Sequence, residues 1–196
     1  VYKRQLQLGD WKAALLDTPG HADFTAEMER TLSVLDYAIL VISGIDGVQG
    51  HTRTLWKLLQ NYNVPCILFI NKMDLAPGRE QEILRDLKES LGGNFVDFGA
   101  DGTESFYEEA AVSGEAELEE FLETGQVSKD EIRSRIASRD LFPCYFGSAL
   151  KMEGVQEFMD GMTGYVEKNE QINSTDTNTS NFGAKVFKIS RDPAGS

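Results

Sequence analysis

Residues 65–74 read Pro65-Cys66-Ile67-Leu68-Phe69-Ile70-Asn71-Lys72-Met73-Asp74, and this stretch decides the fold. A continuous apolar run that stops abruptly in polar residues is the pattern of a strand covered on both faces, as in parallel sheets. Tyr37-Ala-Ile-Leu-Val-Ile42 reads the same way, and Leu141-Phe-Pro-Cys-Tyr-Phe146 supplies another strand. Lys12–Leu16 is a shorter apolar run that ends at Asp17 and a Thr-Pro-Gly turn. Helical patterns separate these strands. Ala22–Val34 is read as an amphipathic helix, with Phe24, Met28, Leu32 and Leu35 at helical spacing. Val48–Tyr62 carries Leu55, Leu58 and Leu59 on one side, Arg79–Leu91 is stopped by Gly92-Gly93, and Val155–Val166 closes the series. Strand–helix alternation with buried strands predicts an α/β chain with a doubly wound, mostly parallel sheet. Such sheets bind ligands at the carboxyl ends of their strands. The polar motifs Asp17-Thr18-Pro19-Gly20-His21, Asn71-Lys72-Met73-Asp74 and Gly147-Ser148-Ala149-Leu150 all fall at strand ends.

Residues 93–139 interrupt the rhythm. They read as an aromatic, Gly-containing loop followed by helices near Glu104–Ala111, Glu115–Glu123 and Ser128–Ser138. Lys168–Asn181 is a linker by its Asn, Thr and Ser content. Ala184-Lys-Val-Phe-Lys-Ile189 alternates and is expected to open a second domain.

Composition narrows the class. A hydrophobic fraction of 41% in 196 residues suits one globular α/β domain and a little more. No apolar run approaches the ~20 residues of a membrane span, and Val1–Asp10 has no signal-peptide character. Cys66 and Cys144 sit inside apolar runs and are expected to be free buried thiols in a reducing cytosol. Of the net charge of −13, −10 falls between Asp101 and Glu131, which reads as a solvated face and argues against nucleic-acid binding there. His51, on the Val48–Tyr62 helix, is expected to face solvent.

Each motif has a chemical reading. Asp17, at a strand end, can hold Mg²⁺ through a water. Pro19 stiffens the turn after Thr18, and Gly20 lets its backbone N–H approach a phosphate that a Cβ would keep away. His21 would project toward an attacking water. Asp74 can accept two hydrogen bonds from the N1–H and 2-amino edge of guanine. Adenine would leave that carboxylate unpaired, and such sites reject the wrong ligand by ~10⁴-fold in favourable cases. Lys72 can lay its stem over the base, and Asn71 can tie neighbouring loops together. Small residues at Ser148 and Ala149 would let backbone N–H groups reach the guanine O6. An ordinary turn is the competing reading for each motif alone, but the three in order make chance a poor account.

These residues carry a resemblance. Asp17-Thr-Pro-Gly-His21-Ala-Asp23-Phe24, Gly47-Val-Gln49…Thr52-Arg-Thr-Leu55, Asn71-Lys-Met-Asp74 and Gly147-Ser-Ala149 look like translational GTPases of the elongation factor G class. The short stretch between Asp74 and Gly147 and the run Leu141-Phe-Pro…Tyr145…Gly147-Ser-Ala149 look most like tetracycline-type ribosomal protection proteins. The resemblance implies a P-loop GTPase (G) domain over residues 6–167, a linker at 168–182 and the first strand of a β-barrel domain at 183–196. It implies GTP/GDP and Mg²⁺ as cofactors, with His21 positioning the hydrolytic water and Gly20 sensing the γ-phosphate. Asp17 would be a Mg²⁺ residue acting through water. Asn71, Lys72, Asp74, Ser148, Ala149 and Leu150 would line the guanine site. The ribosome is the implied partner, in a cytoplasmic protein that is monomeric at full length and engages neither membrane nor sequence-specific DNA.

One part of the family's pattern is missing. No Gly-x-x-x-x-Gly-Lys-Ser/Thr phosphate loop precedes Asp17, and the first switch segment is also absent. The expected G-domain sheet is therefore incomplete, without the phosphate-loop strand, and the chain is read as a fragment truncated at both ends. Val1–Gln5 does not resemble the family and matches one reading frame of a transposase sequencing adapter, so these residues are expected to be non-native. Weak GTP binding and no ribosome-stimulated hydrolysis are expected of the chain alone. The alternatives are a non-hydrolysing binding or regulatory module that lacks the phosphate loop, and a generic doubly wound domain.

Overall fold

The computed structural model describes residues 2–8, 11–17, 31–111 and 121–166. They belong to two compact units, one holding the described residues up to Asp36 and the other beginning at Tyr37. The first contains a β-hairpin, β1 (Tyr2–Leu8) and β2 (Trp11–Asp17), paired antiparallel from Tyr2↔Asp17 to Leu8↔Trp11. The Lys12–Leu16 strand thus forms, but its partner is β1 rather than a parallel neighbour, and Val1–Asp10 carried no strand expectation. The signal was present in Gly9-Asp10, a two-residue connection of a composition that favours hairpins. Tyr2–Gln5, expected to be non-native, lie within β1. Most of the helix expected at Ala22–Val34, the linker and the strand expected at 184–189 lie outside the described residues.

The second unit holds a parallel sheet in the order β3 (Ala38–Ser43), β4 (Cys66–Asn71), β6 (Phe142–Phe146), β5 (Phe95–Asp97). Helices α1 (Gly50–Asn61), α2 (Glu80–Leu91), α3 (Glu104–Ala111), α4 (Lys129–Ala137) and α5 (Val155–Tyr165) connect and follow the strands. This is the doubly wound α/β architecture that the alternation implies. Among the described residues, no helix is long and apolar enough to cross a membrane.

Local chemistry accounts for the helix ends. Gln49 and Thr52 form a reciprocal capping box at the start of α1, and the Ser128 hydroxyl accepts from the Glu131 N–H at the start of α4. Gly92, at φ 66°, ends α2. Two corrections concern what periodicity could not see. Phe95–Asp97, expected within a loop, is an edge strand whose Phe95 and Val96 are buried. Three residues are too few to show a period of two, so the strand exists because β6 is there to pair with it. His51, expected in solvent, is half-buried, and its Nε2 is enclosed without a hydrogen-bond partner among the described residues. Helical spacing marks the apolar face of α1 but not how far neighbouring chain reaches around its first turn.

The core is aromatic. Phe98 packs edge-on against Phe106 and Tyr165, and Phe69 and Tyr145 both meet Phe158. Near the β5 edge the Arg139 guanidinium lies 5.2 Å from the ring centres of both Trp56 and Phe142 and donates to the Val64 carbonyl. The same environment holds Cys66 and Cys144, both free and fully buried, with burial pushing the Cys66 thiol up to about 12.

Candidate functional site

β4 and β6 are adjacent and parallel, with Ile70 opposite Phe146, so the loops that follow them emerge side by side. Backbone bonds lock the two loops together. The Gly147 N–H donates to the Ile70 carbonyl at 2.9 Å, and the Met73 N–H donates to the Gly147 carbonyl at 3.0 Å. A third loop joins from β3, where the Gly44 N–H donates to the Asn71 carbonyl at 2.8 Å. Close approach favours glycine at two of these points, and at Gly147 the facing backbone requires it. A Cβ on Gly44 would stand 2.6 Å from the Met73 sulfur, and one on Gly147 would stand 2.3 Å from the Glu153 carbonyl oxygen.

Asn71 is the side-chain tie between the loops. Its Oδ1 accepts from the Lys72 N–H at 2.8 Å and from the Ala149 N–H at 2.9 Å. Lys72 adopts a left-handed conformation, φ 65°, which turns the chain sharply into a single 3₁₀ turn at Met73–Leu75. Met73 is buried beneath the loop. The Asp74 side chain is only 10% exposed, yet it sits 3.4 Å from Nζ of Lys151, itself 52% exposed. The buried Ser148 hydroxyl donates to the same carboxylate. Ser148 first, and then Lys151, hold the Asp74 carboxyl below the usual range, so it is an anion at neutral pH.

The loop after β6 is pinched at its base. The Ser148 N–H donates to the Glu153 carbonyl at 2.9 Å and the Glu153 N–H returns to the Ser148 carbonyl at 3.1 Å. Between them Ala149 and Leu150 are exposed, Leu150 at 92%. The structure therefore brings Asn71, Lys72, Asp74, Ser148, Ala149 and Leu150 to one pair of bonded loops. It does not leave the backbone donors as the sequence suggested, because the Ser148 and Ala149 N–H groups are both engaged inside the protein.

The remaining expected residues stand apart from this account. Asp17 is exposed at the end of β2, whereas Thr18, Pro19, Gly20 and His21 lie outside the described residues. Among the described residues there is no group of three or more His, Cys, Asp or Glu side chains suited to a metal ion.

Several residues that support the site escaped the sequence reading. Arg79 donates to the Gly44 and Ile45 carbonyls at 3.1 and 3.2 Å while pairing with Glu82 at 2.7 Å, which fixes the loop after β3 to the start of α2. Asp86 accepts from the Val48 N–H at 3.0 Å and from the Ser90 hydroxyl at 2.8 Å. Lys151 also went unmarked. Its signal was its place three residues beyond Ser148, but only the fold shows which carboxylate it meets.

A nearly buried, ionised carboxylate at the carboxyl end of a parallel strand can accept two hydrogen bonds from one planar edge. Residues 3–168 match the family described as the elongation factor Tu GTP-binding domain. A solved structure of a protein from Thermus thermophilus aligns with a TM-score of 0.73 at 19% identity, covering 87% of this chain and 32% of that one. The chain thus spans about a third of the length of that protein.

Proposed function

Because the chain belongs to the family of elongation factor Tu GTP-binding domains, we propose that it carries the guanine-reading part of a translational GTPase that hydrolyses GTP on the ribosome. The observation that carries this reading is Asp74. Its carboxylate is ionised and nearly enclosed, on a loop tied to the next by Asn71. Guanine presents two adjacent donors, N1–H and the 2-amino group, and the two oxygens of a carboxylate accept both. The donor and acceptor set present therefore fits a guanine nucleotide.

When bound, the nucleotide would supply the phosphoanhydride bond that is cleaved, and Mg²⁺ would neutralise charge on its phosphates. This chain's own residues would bind and orient. Asp74 accepts from the base, Lys72 packs its stem along the base plane, and Asn71 keeps the two loops in register. Ser148 holds the carboxylate in its rotamer, and Ala149 and Leu150 border the site. For the phosphate end, the Asp17-Thr18-Pro19-Gly20-His21 motif supports His21 as the residue that positions water, Gly20 as the γ-phosphate contact and Asp17 as a Mg²⁺ residue acting through water. Similarity of the quoted motifs to the elongation factor G class, and within it to tetracycline-type ribosomal protection proteins, supports a cytoplasmic role at the ribosome.

The sequence holds no Gly-x-x-x-x-Gly-Lys-Ser/Thr stretch, and the phosphate cradle normally supplies much of the affinity. The 196-residue chain alone is therefore expected to bind the base weakly and not to turn over GTP. The alternative reading is a non-hydrolysing nucleotide-binding or regulatory module. That module would bind guanosine and GTP alike and remain silent with ribosomes.

Asp74→Asn tests the base reading. An amide offers one acceptor and one donor, the complement of the N1–H and 2-oxo edge of xanthine. Guanosine affinity, followed by NMR shifts of the full chain, is expected to fall about 10- to 100-fold while xanthosine binding appears. Unchanged guanosine binding in this variant would remove the carboxylate from base recognition.

A further inference from the structure

The stretch that carries Lys72 and Asp74 runs from the end of β4 to the start of α2. Inside it the Leu75 and Ala76 N–H groups donate to the Lys72 and Met73 carbonyls at 3.0 Å, which orders one turn. Met73 is buried beneath that turn, while Leu75 is 67% exposed. What fixes the two ends therefore decides where Asp74 stands.

Both ends meet one residue. Gly44, just after β3, donates its N–H to the Asn71 carbonyl at 2.8 Å, where the stretch begins. Its own carbonyl accepts from Nη1 of Arg79 at 3.1 Å, where the stretch ends. The same nitrogen reaches the Ile45 carbonyl at 3.2 Å, and Nε and Nη2 grip the two oxygens of Glu82 at 3.0 and 2.7 Å. Glu82 thus holds the guanidinium plane from one edge and leaves the other edge for the loop after β3. Gly78, at φ 75°, turns the chain just before Arg79. Asp86, further along α2, secures the next part of the same loop through the Val48 N–H at 3.0 Å.

We propose that Arg79 is a positioning residue of the base site: it closes residues 71–79 onto Gly44 and so presets Lys72 and Asp74. The inference rests on the guanine reading given above and extends it to a residue that acts through the backbone. An arginine paired with a carboxylate three residues on is ordinarily a surface ion pair worth little. Two carbonyls of a distant loop on its free edge give this one a different task. A loop held closed before binding has less freedom to lose when a ligand arrives, so closure is read as affinity. Asn71 passes the constraint on to the loop after β6 through the Ala149 N–H at 2.9 Å.

The test compares wild type, Arg79→Met, Arg79→Lys and Arg133→Met in the full chain. Arg133 makes a bridge of the same kind elsewhere, to the Gly164 carbonyl at 2.8 Å and to Asp130 at 2.7 Å, and controls for the general cost of losing one. Hydrogen exchange at the Leu75 and Ala76 amides reads the loop without any ligand, exchange in β4 reads global folding, and guanosine titration by NMR reads the site. Arg79→Met is expected to speed loop exchange and weaken guanosine each about threefold to tenfold, as for loss of a hydrogen bond or two. Exchange in β4 should stay within about twofold, and Arg133→Met should change neither loop exchange nor affinity by more than that. Arg79→Lys keeps the charge without the planar fork and should fall closer to Arg79→Met than to wild type. Unchanged loop exchange in Arg79→Met, equal losses in the two methionine variants, or full recovery by lysine would overturn the proposal. Failure of the guanine reading looks different. There the wild type binds no guanosine at millimolar concentration while the contrast in loop exchange stands.

Discussion

β3 and β4 are neighbouring strands of equal length and similar composition, paired residue for residue from Ala38↔Cys66 to Ser43↔Asn71. Their surroundings differ. In β4 every residue from Cys66 to Ile70 is buried. In β3 only Leu40 and Ile42 are, while Ile39 is 39% and Val41 59% exposed. Both apolar runs read as strands covered on two faces, which β4 is. For β3 the missing phosphate-loop strand instead implied an unpaired edge with an apolar face open, and Ile39 and Val41 are exposed there. The difference lies in position. β4 is flanked by β3 and β6, whereas β3 is an edge of the four-stranded sheet. A continuous apolar run reports that a strand belongs to a sheet, but not how much of it the rest of the chain covers.

Truncations across the pair should split widely if this difference is energetic. Leu68→Ala, which removes a fully buried side chain from β4, is expected to cost about 2–5 kcal/mol in chemical denaturation. Val41→Ala on the open face of β3 should cost under about 0.5 kcal/mol, as surface substitutions do. Similar losses at the two positions would mean that the exposed face of β3 is covered in solution.

The middle of the range belongs to Cys66. A thiol that burial lifts from 9.0 to about 12 is neutral when folded and ionised when unfolded over the interval between. The unfolded chain then binds fewer protons, so stability contributed by this group is complete below pH 9 and is lost as pH rises toward about 12. Alkaline denaturation of Cys66→Ala should accordingly be less steep than that of the wild type across this window. Alkylation by iodoacetamide should wait for unfolding. Rapid labelling of Cys66 in the native chain at pH 8 would show that β4 is not closed.

The smallest effect tests the same contrast with a polar group. Val41→Thr is expected to leave the melting temperature nearly unchanged, because its hydroxyl would meet water. Ile70→Thr buries a hydroxyl at a fully enclosed position and should fall near the Leu68→Ala class.

The site shows the same division between pattern and placement. Asn71-Lys72-Met73-Asp74 and Gly147-Ser148-Ala149-Leu150 were legible because each follows an apolar strand, and parallel strands deliver their carboxyl ends to one side of a sheet. Asn71 was read as a tie between loops, and its contacts with Lys72 and Ala149 have that form. The pairing of Asp74 with Lys151, the clamp by Arg79 and the committed N–H groups of Ser148 and Ala149 were not legible. Each depends on a distance between residues far apart in the chain or on a turn closed by its own backbone.

By itself, the sequence determined the alternation of strands and helices, the burial of β4 and the place of the two polar loops proposed as the base site. Apolar periodicity and polar residues at strand ends are local facts, and local facts survive in a one-dimensional record. Tertiary structure alone decided that Phe95–Asp97 becomes a strand, that His51 is partly enclosed and that Lys151 meets Asp74. Coverage, pairing and charge contact are properties of which segments fold against each other, and no single segment carries them.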